Sequence, residues 1–248
     1  MRIDLNADVG ELAGQDAELM TCITSANVAC GAHAGDEAVM ADTVRLAKAH
    51  GVAVGAHPGF PDREGFGRRD LRMPPDAVAA FVAEQVQALA AIASQHGVRL
   101  QHVKPHGALF NIAVEDRSMA DAIARAIASI DTALILFGLP GSHLIAAGAA
   151  AGLPTAREVF ADRAYRADGT LLPRSEPGAV IHDADRVLAR VVTMVKERVV
   201  VAVDGTRVPL GFDTMCVHGD TPGAAQLAAQ VRAALVRDGI EVKSLSSA

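Results

Sequence analysis

Short β-rich runs alternate with longer helical patterns along almost the whole chain, and this alternation constrains the fold more than any other feature. The strand candidates are Arg2–Ala7, Ser25–Ala29, Val52–Ala56, Arg99–Val103, Ala133–Phe137, Thr155–Phe160 and Thr214–His218. Between them the patterns predict helices near Asp36–His50, Pro75–His96, Asp116–Ile130, Ser142–Ala151, Asp183–Lys196 and Gly223–Asp238. Strands joined through helices pair in parallel, because each crossover returns the chain to the same end of the sheet. Seven such strands in 248 residues predict an α/β fold, a seven-stranded β/α barrel rather than an open doubly wound sheet. No G-x-G-x-x-G turn follows the first strand, in keeping with that choice.

The helix over 75–96 has the clearest pattern. Val78, Phe81, Val82, Val86, Leu89 and Ile92 recur at spacings of three and four, which lays an apolar stripe along one face. Pro74-Pro75-Asp76 opens it and Gly97 closes it. Near the C-terminus, Asp204-Gly205 between β-branched runs predicts a hairpin, a small β-excursion near 199–210. Thr132–Ala156 carries no Asp, Glu, Lys or Arg and is long enough to span a bilayer, but Pro140, Gly141, Ser142 and His143 interrupt it. A strand, a turn and a helix are expected there. With no repeat, low-complexity tract or linker, residues 1–248 are expected to form one domain.

Composition excludes several function classes. Aromatics are 3% of the chain, with no Trp and a single Tyr165, too few for stacking platforms on single-stranded nucleic acid. The net charge of −6 argues against a phosphate-binding face, so no nucleic-acid partner is expected. Cys22, Cys30 and Cys216 are odd in number and lack C-x-x-C spacing, which suits a reducing cytoplasm. Charges at Arg2, Asp4 and Asp8 leave no apolar core for a signal peptide, and no membrane association is expected.

In β/α barrels the active site forms where strands end and βα loops begin, and the unusual polar residues collect at those positions. The first strand leads into Asn6, Asp8, Gly10 and Glu11; the second into Asn27, Cys30, His33 and Asp36. His57 follows the third, and His102, Lys104, His106 and Asn111 surround the end of the fourth. The sixth contributes Glu158, Asp162, Arg163 and Tyr165, and the last His218 and Asp220. A lone histidine at a strand end is commonly a hydrogen-bonded structural group, but convergence from most strands on one rim predicts a functional site.

The chemistry has two readings. His33, His57 and a rim carboxylate such as Asp8 suit a divalent metal bound from different strands. Alternatively His and Asp act as general acid and base, with Lys104 stabilising an oxyanion. Lys104, flanked by apolar residues and proline, is expected to be desolvated with a lowered pKa, or else to clamp an anion. Cys30 is either a nucleophile beside His33 or a small residue packed at a glycine turn. Arg68-Arg69 is a solvated loop or an anion cradle, and Arg163 and Arg174 are the better carboxylate binders. No G-x-x-x-x-G-K-[ST] occurs, so nucleotide chemistry needs an atypical site or another polypeptide.

Seven blocks carry a resemblance to a known family: D-L-N-A-D-V-G-E (4–11), S-A-N-V-A-C-G-A-H-A-G-D (25–36), G-A-H-P-G-F-P-D-R-E-G-F-G-R-R (55–69), H-V-K-P-H-G-A-L-F-N (102–111), E-V-F-A-D-R-A-Y (158–165), D-G-T-L-L-P-R-S-E-P-G-A-V-I-H-D (168–183) and C-V-H-G-D (216–220). In this order they resemble the LamB/YcsF family, whose best-defined members are the A subunit of the ATP-hydrolysing bacterial 5-oxoprolinase. The resemblance implies a barrel similar to the glycoside hydrolase and deacetylase barrels. It implies cleavage of 5-oxo-L-proline to L-glutamate coupled to ATP hydrolysis, in a complex with subunits B and C. ATP then enters as a co-substrate handled with those partners.

Within that reading the expected catalytic residues are Asp8, His33, Asp36, Lys104 and His106. His106 or His33, paired with Asp8 or Asp36, would be the base for water, and Lys104 would stabilise the anion. Asn6, His57, Arg163 and Arg174 are the expected substrate-binding residues. The alternatives are a metal-dependent deacetylase or amidohydrolase on the same barrel, and a non-catalytic subunit that binds 5-oxoproline for its partners.

Overall fold

The structure is a computed structural model that describes residues 1–218 and 223–245. Asp220 of the last rim motif lies outside the described residues. The first half of the chain runs β1 (Arg2–Val9), α1 (Asp16–Met20), β2 (Ser25–Ala29), α2 (Glu37–His50), β3 (Ala53–His57), α3 (Pro75–Gln95), β4 (Leu100–Val103), α4 (Gly107–Glu115) and α5 (Arg117–Ala128). The second runs β5 (Ile135–Gly138), α6 (His143–Ala150), β6 (Thr155–Phe160), α7 (Ala184–Glu197), β7 (Val199–Val201), β8 (Arg207–Pro209), β9 (Thr214–Cys216), α8 (Ala224–Arg237) and β10 (Glu241–Val242).

Seven parallel strands follow one another in the order β1, β2, β3, β4, β5, β6 and β9, and β9 returns to pair with β1. The expected closed β/α barrel is the fold. The registers Asp4↔Thr214 and Asn6↔Cys216 make the closing seam, and β10 adds a short parallel pairing at Arg2 and Ile3. Side chains alternate across a strand. In β1 this splits Leu5, Ala7 and Val9, which join the core, from Asp4, Asn6 and Asp8, which hydrogen-bond across the barrel interior.

Local chemistry sets the helix boundaries. Asp36, Asp116, Ser142 and Asp183 each accept from a backbone N–H in the first turn of α2, α5, α6 and α7. Pro75 occupies the first turn of α3, and Val78, Val82, Val86, Leu89 and Ile92 are its buried face, the expected stripe. This helix has the length and apolar character to cross a membrane, and in the barrel it packs on α5, β3 and β4. The uncharged stretch around 132–156 resolves into β5, a turn and α6, as expected.

The anticipated hairpin is β7–β8, antiparallel with Val199 opposite Pro209, and its loop closes through Ala202 N–H to the Thr206 carbonyl at 2.8 Å. Three elements were not anticipated: α1, β10 and α4. The stretch that forms α4 buries Ala108, Leu109, Phe110 and Ala113, which crowd together without the polar face that marks a surface helix.

Gly55 in β3 shows how tightly the interior is filled. A Cβ there would stand 2.1 Å from the His102 ring. Gly55→Ala therefore forces the ring or the strand to move, and is expected to cost about 3 kcal/mol by overpacking. Denaturant unfolding checks this; an unchanged midpoint would mean that the ring shifts freely.

Candidate active site

The polar interior is built in layers from the bottom of the barrel upward. Asp4 accepts from the hydroxyls of Thr24 and Ser25 at 2.7 Å each and from Thr214. Above it, Asn6 Nδ2 donates to Glu158 Oε1 at 3.0 Å and Thr214 Oγ1 at 2.7 Å, while its Oδ1 accepts from Asn27 at 2.8 Å. His102 Nε2 donates to Asn27 Oδ1 at 2.8 Å. Burial pushes the His102 pKa down to about 3, so the ring is neutral.

The top layer centres on Lys104, which leaves β4 into the rim. Its ammonium donates to Asp8 Oδ1 at 2.9 Å and to Cys216 Sγ at 3.1 Å, and lies 3.0 Å from Glu158 Oε1. Asn27 donates a further hydrogen bond to Asp8 Oδ1 at 2.8 Å. The expectation of a lowered Lys104 pKa is corrected here. Burial does oppose its charge, but Asp8, Cys216 and Glu158 outweigh it and hold the ammonium well above the usual lysine range. Burial also opposes ionisation of Asp8, yet His57 and Lys104 hold that carboxyl well below its usual range. Glu158, by contrast, is pushed up by burial despite the ammonium, and its Oε2 has no hydrogen-bond partner among the described residues.

Beside this layer three imidazoles gather around Glu11. His33 and His106 stack with ring centroids 3.8 Å apart, and His57 stands edge-on to both. Burial is the largest cause that pushes His33 down to about 3 and His106 well below the usual histidine range. These are buried His and carboxylate groups of the kind that can bind a metal.

Two loops wall the site. The loop after β3 is fastened by Gln85, whose amide exchanges hydrogen bonds with Gly59, and by Asp62, which accepts from Gly65 N–H and from the Arg69 guanidinium. It brings Phe66 edge-on to His33 and His106. The loop between β6 and α7 is folded, with isolated bridges Arg163↔Val180 and Tyr165↔Leu171. Exposed Arg68 and Arg174 and buried Arg163 line the same pocket as Asp8, Lys104 and His106.

Of the expected residues, Asp8, His33, His57, Lys104 and His106 are brought together. Asn6 lies one layer below, fully buried, and orients Glu158 rather than facing the pocket. Arg163 lines the pocket but donates to the Leu172 and Ala179 carbonyls, so it holds the loop that carries Arg174. Asp36 does not join the group. It is exposed, and its carboxylate accepts from Val39 N–H at 2.9 Å as the cap of α2. Cys30 is an inert thiol: burial pushes it up to about 12 and it contacts the Val28 carbonyl. Glu11, Glu158 and Cys216, none of them chosen as site residues, prove to be direct neighbours of the chosen ones. Glu11 and Glu158 do stand in the rim motifs, but the pairings that matter span up to 152 residues and leave no local spacing to read.

The model of the LamB/YcsF family matches residues 3–248. The chain belongs to the LamB/YcsF family. Within it, the A subunit of 5-oxoprolinase from Halalkalibacterium halodurans is 52% identical over 250 residues, which cover 99% of this chain and 97% of that relative. The crystal structure of the lactam utilization protein from Thermus thermophilus matches with a TM-score of 0.93 at 46% identity, over 99% of this chain and 100% of that one. A peptidoglycan deacetylase from Bacillus subtilis matches at a TM-score of 0.51 and 12% identity, over 98% and 87% of the two chains, a likeness of fold alone.

The place of Asp36 gives a direct test. Asp36→Ala is expected to lose about 1 kcal/mol of stability, the usual value of an N-cap. Calorimetric melting of the two proteins measures it, and a loss several times larger would point to contacts beyond the cap.

Proposed function

We propose that this chain is the A component of a 5-oxoprolinase, a hydrolase that opens the cyclic amide of 5-oxo-L-proline to L-glutamate. Its full-length similarity to a relative named as the A component of that enzyme is the observation that carries this reading. The finer parts of the proposal are ATP hydrolysis as the driving reaction, partnership with subunits B and C, and a cytoplasmic setting. The site residues below belong to the same proposal.

A lactam is a stable amide, and its opening is helped when the carbonyl oxygen takes the terminal phosphoryl group of ATP. Water then adds at the activated carbon and the C–N bond breaks, its electron pair going to nitrogen, which takes up a proton. The acyl phosphate left behind is hydrolysed by a second water to glutamate and phosphate. Two waters and one ATP are consumed for each ring opened.

The pocket supplies the complementary groups. Arg174 in the pocket lining is the partner for the substrate carboxylate, a charge-assisted contact of the kind guanidinium forms well. Lys104, kept charged by Asp8 and Glu158, stabilises negative charge as it develops on the oxygen. The imidazoles of His33, His57 and His106, with Glu11 and Asp8, form the polar wall that receives and orients the attacking water.

Glutamate release from 5-oxoproline, measured with the purified chain, subunits B and C, and ATP, tests the reading. Turnover is expected only in the full mixture. In that mixture Arg174→Ala should raise KM about tenfold with little change in kcat, as loss of a binding contact does. Lys104→Met should lower kcat about 100-fold. A full mixture that releases no glutamate would remove the assignment.

A further inference from the structure

His57 and His106 meet at 2.9 Å through Nε2 and Nδ1, yet the ring protons are committed elsewhere. His57 Nδ1 lies 2.7 Å from the Lys104 carbonyl oxygen, and His106 Nε2 lies 2.8 Å from the Phe66 carbonyl oxygen. A carbonyl only accepts, so a ring with a single N–H carries its hydrogen on that nitrogen. The two nitrogens that face each other are therefore both lone-pair atoms. Glu11 Oε1 joins them, 3.4 Å from His106 Nδ1 and 3.9 Å from His57 Nε2. His33 Nε2 reaches the same oxygen at 3.1 Å, and Asp8 Oδ2 lies 3.4 Å from His57 Nε2. The two facing nitrogens and the Glu11 oxygen, acceptors at these separations, repel one another unless a positive centre lies among them.

We propose that Glu11, His33, His57 and His106 form a binding site for a divalent transition-metal ion of the zinc class. One ligand atom from each of the four lies within 4.8 Å of every other. Metal–ligand lengths of about 2.0–2.1 Å put neighbouring ligand atoms about 2.8–3.4 Å apart in octahedral or tetrahedral arrays, close to most of the contacts above. Imidazole nitrogens with a carboxylate favour zinc and its neighbours over magnesium or calcium. The outer side of the site has the matching form. Metal-bound histidines usually donate their second N–H to a carbonyl or carboxylate, as His57 and His106 do here.

The loop after β3 fits this role. A Cβ on Gly59 would stand 2.5 Å from His33 Nδ1, and one on Gly67 would stand 2.8 Å from the His106 ring. Backbone with no side chain is thus what lets the two stacked rings sit against this wall. The neighbouring group of Asp8, Cys216 and His218 also has metal-ligand chemistry. There the Lys104 ammonium already supplies the positive charge, 2.9 Å from Asp8 and 3.1 Å from Cys216. An ion beside Glu11 and His106 would face the same pocket, where it would acidify a bound water.

The rival occupant is a single proton shared between His57 and His106. Cobalt(II) separates the two, because it fits zinc sites and reports its coordination by visible absorption. Chelator-treated chain, titrated with cobalt(II) and in parallel with zinc(II) by calorimetry, is expected to bind one ion per chain. Glu11→Gln and His106→Ala, each checked for folding by circular dichroism, should weaken binding about 100-fold or more. Asp36→Ala should bind as the unaltered chain does. No saturable binding, or binding of equal strength in Glu11→Gln, overturns the site. The measurement contains no substrate, so it stands or falls separately from the assignment of the reaction.

Discussion

A single buried ammonium organises the interior of this barrel. Removing a lysine charge from water costs several kcal/mol even after relaxation, so Lys104 is tolerable only with anions against it. Asp8 from β1 and Glu158 from β6 supply them from two other strands. Each carboxylate is in turn held by an amide, Asn27 for Asp8 and Asn6 for Glu158. The charge on β4 therefore dictates polar residues on strands around the ring, and these occupy inward positions where most barrels pack aliphatic layers.

The same constraint shapes the pocket. Asp8 is shared: one oxygen answers Lys104 and the other faces His57. The acidic and imidazole side of the pocket is thereby coupled to the cationic side through one carboxylate. The two wall loops differ in how they are held. The loop after β3 relies on Gln85 and Asp62, whereas the loop after β6 is cross-linked by Arg163 to its own carbonyls and by Arg190 to the Arg163 carbonyl. Both are ordered by buried polar side chains rather than by apolar packing alone.

The barrel was legible in the sequence because its strands are short β-rich runs bounded by turn residues and separated by periodic helices. The strand ends then placed His33, His57, Lys104 and His106 on one rim. What failed to show was anything set by distant partners. Lys104 read alone invites a lowered pKa, and Asp8, 96 residues away, with Cys216 and Glu158, reverses the sign. Asp36 stands in a rim motif, but its position before a helix has a local meaning, the N-cap, and that is where the structure uses its carboxylate. Helix α4 escaped because its buried residues lack a polar counter-face. Glu11 and Glu158 stood in the motifs, but nothing in their spacing says that one would meet histidines and the other the ammonium.

The closing seam has a consequence for how the chain reaches this structure. Thr214 and Cys216 arrive on β9, and Thr214 completes Asp4, a residue 210 positions earlier. Until that strand docks, the interior edge of β1 and the charges of Lys104 and Glu158 keep their water. Dehydration of the charged layer and closure of the ring therefore depend on one long-range pairing, between strands at opposite ends of the barrel sequence. Assembly of the site is thus tied to closure of the ring: without β9, Asp4 lacks Thr214 and Lys104 lacks Cys216.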